Sequence, residues 1–187
     1  MSRVSCVLLT SKNSSRLSVL QTALEVLNIP FEEMITVVGN HNESLAYDLR
    51  DLPLKVVLNL DLVADIHTLI RTGLSPLRKY YDGVFVCFAD HPDLDVNVMI
   101  EMIKQFDLHE GKKIVHLKLH ECGKDPILVP REFIPEILQH EDGDFDCSYL
   151  MQQYPARLAA LEMPRLKPLP EIQAADDFSM IMVAQHG

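Results

Sequence analysis

"VFVCFADHPDLD", residues 84–95, is the stretch whose reading decides the fold. Val84 to Ala89 is a short, continuously apolar run of the kind that forms a strand buried on both faces. It stops at Asp90. Pro92 then withdraws a backbone N–H and ends strand pairing, so the chain must turn away. A hydrophobic strand that delivers a carboxylate at its carboxyl end has two readings. One is an ordinary turn, since Asp, His and Pro are common turn material. The other is a ligand position, because open α/β sheets bind ligands beyond the carboxyl ends of their strands, where the strand order switches. A carboxylate there can hold a hard cation such as Mg²⁺ that bridges phosphate oxygens.

The same kind of run recurs at regular intervals on either side of it. "RVSCVLLT" (3–10), "MITVVG" (34–39), "LKVVLNL" (54–60) and "KIVHLKL" (113–119) read as further strands. Between them lie segments with helical spacing: "RLSVLQTALEVLN" before Pro30, "NESLAYDLRDL" with Asn42 as N-cap, and "DIHTLIRTGLSPLRKYY" with a break near Gly73 and Pro76. "DVNVMIEMIKQFDL" follows, capped by Asp95. Farther on, "PILVP" is extended, "REFIPEILQH" and "CSYLMQQYP" are short helices, "RLAALEMP" leans to strand, and "AADDFSMIMVAQ" reads as a closing helix. Strands alternating with helices imply parallel pairing and right-handed crossovers. The expected fold is an α/β three-layer sandwich on a mostly parallel, doubly wound sheet, built as one domain over residues 1–187.

Composition bounds the function. The chain has 187 residues, 48% hydrophobic and 24% charged, with a net charge of −10. Such a charge argues against broad attraction to nucleic acid or an anionic membrane. It leaves room for a nucleotide in a local pocket. No window approaches the ~20 apolar residues of a bilayer span. Cys6 and Cys87 sit inside apolar runs, where thiols act as small hydrophobes. Cys122 and Cys147 complete the set, and no C-x-x-C pair occurs. These features read as a soluble cytoplasmic protein.

Read in order, the short stretches resemble the MobA-like nucleotidyltransferase family, which includes molybdenum-cofactor guanylyl- and cytidylyltransferases. The family's loop after the first strand has the form L-A-A-G-x-S-x-R-M-G-x-x-K. Here it is "LTSKNSSRLSVLQ" (9–21), with Ser14 and Arg16 matching. Lys12 stands at the first glycine, Ser18 at the second, and Gln21 at the lysine. "LNLDLVADIHTLIRTGL" keeps Asn59, Arg71, Gly73 and Leu74, with Asp65 at a family glycine. "FADHPDLD" is similar to the family's D-x-P metal-binding element. "GKDPILVPREF" is similar to its G-H-P-x-L segment, with Asp125 in place of the histidine. "EDGDFDCSYLMQQYP" keeps Asp144, and "EIQAADDFSMI" is similar to the closing acidic element.

The resemblance implies a nucleotide-diphospho-sugar transferase-like fold and Mg²⁺-dependent nucleotidyl transfer, from CTP or GTP to a small phosphorylated acceptor such as a molybdopterin-type cofactor. It implies catalytic roles for Asp90 and Arg16 and nucleotide contacts from Lys12, Ser14, Asn59 and Arg71. Asp90 and Asp144 become the metal ligands. The replaced glycines and lysine keep a second function open: a relative that has lost catalysis and binds a nucleotide, ligand or protein partner. Losing one electrostatic contact to a transition state often costs a factor on the order of a hundred to a thousand in rate.

Other clusters carry less. His116, Lys118, His120 and Cys122 share one face of an extended strand, but Lys118 repels a cation and the histidines lie about 13 Å apart by strand rise. His91 reads as a surface turn residue. The acidic runs at 140–146 and 174–178 read as solvated loops or helix starts. "EMPRLKPLPEI" (162–172) reads as an extended connection.

Overall fold

β1 (Val4–Leu9) and β4 (Gly83–Phe88), the strand of the opening stretch, are parallel neighbours buried along their whole length. They come from a computed structural model that describes residues 1–12, 14–39, 42–61, 65–91, 94–117, 125–140 and 147–162. The remaining strands are β2 (Met34–Gly39), β3 (Lys55–Asn59), β5 (Ile114–Leu117), β6 (Ile127–Pro130) and β7 (Leu158–Leu161). The helices are α1 (Arg16–Val26), α2 (Glu43–Leu49), α3 (Ile66–Leu74), α4 (Val96–Leu108), α5 (Ile134–Gln139) and α6 (Cys147–Gln153).

The sheet runs β3-β2-β1-β4-β6-β5-β7. β1, β2, β3 and β4 pair in parallel, as does β5 with β7. β6 alone among them runs antiparallel, to both β4 and β5. The sheet is thus mostly parallel, as expected, with β6 as its antiparallel strand. The reason is connection length: the nine residues 118–126 between β5 and β6 are fewer than the dozen or so that a parallel crossover needs.

Period-two alternation splits each strand between two cores. Cys6, Leu8, Phe85 and Cys87 face a cluster with α1, α2 and α4, through Val19, Ala23, Leu45, Leu49 and Met102. Val7, Leu9, Val84 and Val86 face a second cluster with α3, α5 and α6, through Leu69, Leu74, Ile137 and Leu150. This is the three-layer sandwich, and it explains why these strands read as continuous apolar runs. Gly73 lets α3 lie against the sheet: a Cβ there would come within 2.3 Å of Val7 Cγ1 and 2.9 Å of Val37 Cγ2. Cys6 and Cys87 are buried free thiols in contact, and burial pushes the Cys6 thiol well up.

The helix starts follow their caps. Ser15 Oγ accepts from Ser18 N, Asp65 Oδ1 from Thr68 N at 2.7 Å, and Asp95 Oδ1 from Val98 N at 2.8 Å. Asn42 sits at the N-cap of α2 but makes no side-chain capping bond. α3 ends at Leu74, so the stretch from Ser75 to Tyr81 does not extend it. β7 confirms the strand reading of "RLAALEMP". The expected closing helix, most of the 162–172 connection, the acidic runs within 141–146 and 174–178, and Lys118, His120 and Cys122 lie outside the described residues.

Candidate functional site

The strand order turns about β1: the chain builds β2 and β3 on one side, then places β4 on the other. The crevice between the carboxyl ends of β1 and β4 is therefore the switch point. Leu9 pairs with Phe88, and Ala89 N–H bonds to Leu9 O at 2.9 Å. The described residues that follow each strand, Thr10–Lys12 with Ser14 and Ser15, and Asp90–His91, form the two lips.

Asp90 meets the other lip directly. Ser11 Oγ donates to Asp90 Oδ2 at 2.7 Å. Ser11 Oγ lies 3.1 Å from Ser14 Oγ, which also accepts Ser11 N–H at 2.8 Å. Asp90 Oδ1 is buried and has no hydrogen-bond partner among the described residues. An orphaned carboxylate oxygen is costly to bury, and such atoms point to a water or ion that completes them. The donor chemistry is a single hard oxygen, which fits a divalent cation such as Mg²⁺. No group of three or more His, Cys, Asp or Glu is gathered for a metal among the described residues. Asp144, the second expected ligand, and Pro92 lie outside them.

The loop after β1 is closed by its own serines. Ser14 is 7% exposed, and its N–H bonds to Ser11 O, making a tight turn with Lys12 exposed at its tip. Lys12 stands at a signature glycine, yet the turn needs no left-handed residue there. Glu110 and Gly111 are the described residues with positive φ. Ser18, at the second glycine, donates to Ala89 O at 3.3 Å, and Thr22 donates to the same carbonyl at 2.8 Å. These bonds tie α1 to the end of β4. Gln21, at the lysine position, is exposed and bonds to Glu25 Oε1 at 3.0 Å along the helix.

The other expected residues are spread along the rim. Arg16 opens α1 and pairs with Asp48 on α2 at 2.6 Å, while Asp48 Oδ2 is buried without a partner among the described residues. Asn59 ends β3 and is 6% exposed. Its Oδ1 accepts Asp61 N–H at 3.0 Å, and its Nδ2 has no partner among the described residues. Arg71 lies in the last turn of α3 and is exposed, at the far end of that helix from its N-cap. The structure thus brings Asp90 together with Ser14 and the Lys12 turn. It sets Arg16, Asn59 and Arg71 apart from them.

His91 corrects the expectation of a surface turn. Its side chain is only 7% exposed, and Nε2 lies 3.3 Å from Asp125 Oδ1. Asp125 precedes β6, the antiparallel neighbour of β4, so the pair braces the two strand ends. Sequence reading missed this contact and also missed Ser11. The one available signal was Asp125 itself, an acid in a segment where the family has a histidine.

An open cleft of about 1110 Å³ lies at the opposite rim, near Ser2, Tyr80, Asp82, Asp107 and Arg131. Its acids are engaged: Asp82 with Arg3, Asp107 with Ser2 N–H, and Glu110 with Lys112. It holds no orphaned acceptor of the kind seen at Asp90. No helix among the described residues is long and apolar enough to cross a membrane.

Comparison with known proteins agrees with this fold. The model of the MobA-like NTP transferase domain matches residues 14–158, and the chain belongs to that family. No curated protein matches it. Among solved structures it is similar to a nucleotidyl transferase from Methanothermobacter, at 17% identity and TM-score 0.66, covering 87% of this chain and 88% of that one. A Mycobacterium tuberculosis protein, Rv0371c, solved in complex with manganese, matches at 14% identity and TM-score 0.60, with 87% and 90% covered. A CMP-2-keto-3-deoxy-manno-octonic acid synthetase complexed with CTP matches at 8% identity and TM-score 0.63, with 87% and 90% covered. At these identities the likeness shows the nucleotidyltransferase fold.

Proposed function

We propose that the chain binds CTP or GTP across the crevice between the ends of β1 and β4 and transfers its nucleotidyl group to a small phosphorylated acceptor, such as a molybdopterin-type cofactor. The carrying observation is Asp90 Oδ1, buried without a partner at the switch point of the sheet. Mg²⁺ or a cation like it, held there, would neutralise charge on the phosphates and orient them. An oxygen of the acceptor phosphate attacks the α-phosphorus, and pyrophosphate leaves. The protein's task is positioning and charge complementarity. Lys12 supplies a cation on the lip and Arg16 one at the start of α1, where it pairs with Asp48; Ser14 shapes the lip, and Asn59 offers an amide donor along the rim. Arg71 acts from α3, at a distance from the lip. Asp144 is the second metal ligand in this reading. The manganese and CTP complexes of the structural relatives support a divalent cation and a nucleotide as ligands. We place the chain, as a single domain of 187 residues, in the cytoplasm, with its buried thiols reduced.

A second reading is favoured by a specific observation. Ser14 Oγ takes the N–H of Ser11, and Gln21 turns to Glu25. A backbone donor of the lip is thus consumed internally, and the position of the signature lysine carries no charge toward the crevice. In that reading the chain binds a nucleotide or ligand without transfer and acts through a partner.

A thermal-shift series with each nucleoside triphosphate, with and without Mg²⁺, separates the readings. Ligands that bind only the native state raise the melting temperature with occupancy. The expected result is a CTP or GTP shift that needs Mg²⁺ and is lost in Asp90→Ala. Pyrophosphate release with a phosphorylated acceptor then distinguishes transfer from binding alone. No response to any triphosphate would discard both nucleotide readings.

A further inference from the structure

Among the described residues of the lip, Ser11 is the one whose side chain is seen to reach the candidate metal ligand, and its hydroxyl is a departure from the family signature. In L-A-A-G, two alanines precede the first glycine. Here Thr10 and Ser11 stand in their place. Both hydroxyls stitch the end of β1 to its neighbours. Thr10 Oγ1 donates to Val37 O on β2 at 3.0 Å. Ser11 Oγ donates to Asp90 Oδ2 beyond β4 at 2.7 Å. Ser14 Oγ, 3.1 Å from Ser11 Oγ, can in turn donate to it, giving a chain of hydroxyls that ends on the carboxylate. Hydrogen bonds to an ionised acceptor are the strong ones, so this chain holds the carboxylate in one rotamer.

The consequence is chemical. A free carboxylate can give a cation one oxygen or two. Asp90 has Oδ2 engaged and Oδ1 alone unpartnered. Ca²⁺ takes six to eight oxygens at long, flexible distances and often uses carboxylates through both oxygens. Mg²⁺ demands octahedral geometry and takes one oxygen from each carboxylate. Mn²⁺ shares the preference for six oxygen donors. Partners that hold a metal ligand from behind commonly set its orientation and the affinity of the site.

We propose that Ser11 is a specificity-determining positioning residue: by occupying Asp90 Oδ2 it makes Asp90 a one-oxygen donor and biases the crevice toward Mg²⁺ or Mn²⁺ over Ca²⁺. This rests on the reading of Asp90 as the cation ligand.

The test measures Mn²⁺ bound to the full chain by the loss of the free-ion electron paramagnetic resonance signal, with Ca²⁺ as competitor. Wild type should hold Mn²⁺ in an Asp90-dependent way, and Ca²⁺ should compete poorly. Ser11→Ala should weaken Mn²⁺ by roughly 10- to 100-fold, as removal of such supporting partners typically does. It should also narrow the preference for Mn²⁺ over Ca²⁺ by about 10-fold or more, because the carboxylate can then chelate through both oxygens. Ser11→Thr, which keeps the hydroxyl, should restore the preference, and the melting temperature of each variant checks that it folds. A fall in Mn²⁺ affinity with the Mn²⁺-to-Ca²⁺ ratio unchanged would overturn the proposal and leave the cation site standing. That outcome would mean that Ser11 ligates the metal itself or merely shapes the loop. A wild type that holds no Mn²⁺, or holds it equally in Asp90→Ala, would instead remove the cation site and the proposal with it.

Discussion

The two rims of the sheet treat their buried polar groups in opposite ways. At the amino ends of the parallel strands, charges are paired. Glu33, just before β2, has a 4% exposed side chain that accepts from Lys55 and from the N–H groups of Arg78 and Lys79. Asp82, just before β4, accepts Arg3 N–H at 2.7 Å. At the carboxyl ends, Asp90 Oδ1 and Asn59 Nδ2 are buried and unpartnered among the described residues, as is Asp48 Oδ2 beside Arg16. At the first rim the charged groups are paired, and the unpartnered buried atom among the described residues is a neutral hydroxyl, Ser5 Oγ near the start of β1. The other carries unspent hydrogen-bonding capacity at the place where α/β sheets take their ligands. Such local inconsistency is expected at functional sites and is out of place in a purely structural one.

The contrast breaks if removing a charge costs the same at either rim. Glu33→Gln should have the largest effect, about 2 kcal/mol lost in urea unfolding, since hydrogen bonds to a charged group are worth roughly 1.5–3 kcal/mol. Its pH dependence carries a sign. Burial pushes the Glu33 carboxyl up, but the bonds from Lys55 and the two backbone N–H groups outweigh it and hold the group below its ordinary value. Its folded pKa lies below the unfolded one, so its contribution is present above the unfolded value of about 4.5 and is lost as pH falls through the folded one. An acid titration of stability should therefore be shallower in Glu33→Gln than in wild type below about pH 5.

Thr22→Val tests the stitching of the other rim. It removes the 2.8 Å bond to Ala89 O while Ser18 remains, so a loss of about 1 kcal/mol is expected. Nucleotide-induced stabilisation should fall as well, because Asp90 follows that carbonyl. Asp48→Asn should cost no more than about 0.5 kcal/mol, since the Arg16 side chain is 65% exposed and such pairs are weak. It should raise triphosphate affinity about two-fold by releasing Arg16, measured by titration calorimetry. Asp90→Asn should change apo stability least, within about 0.5 kcal/mol, because an unpaired charge leaves with it. A loss above about 2 kcal/mol there would make Asp90 a structural acid like Glu33.

Much of the scaffold was legible. β4 is an apolar run, and β1 and β2 are apolar but for Ser5 and Thr36, because both of their faces are covered, and that pattern survives any detail of packing. Asp95 announced a helix start through residue type alone, and its cap formed, whereas the cap at Asp65, read from the sequence only as standing at a family glycine, emerged with the structure. Asp90 was legible as well, since its place at the end of a buried strand follows from local sequence. The direction of β6 was not. Four apolar residues look the same whichever way the strand runs, and only its partners define the sense of pairing.

What the sequence by itself determined is the order of elements, the buried strands and the carboxylate that ends the central one. These depend on residue type and on neighbours within a turn or two. Tertiary structure alone decided how that carboxylate is held. Ser11 and Asp90 are 79 positions apart, and His91 and Asp125 are 34 apart. Hydrogen bonds act over about 3 Å and carry no trace along the chain. Which oxygen of Asp90 is engaged and which is left open became visible only when β1 and β4 lay side by side.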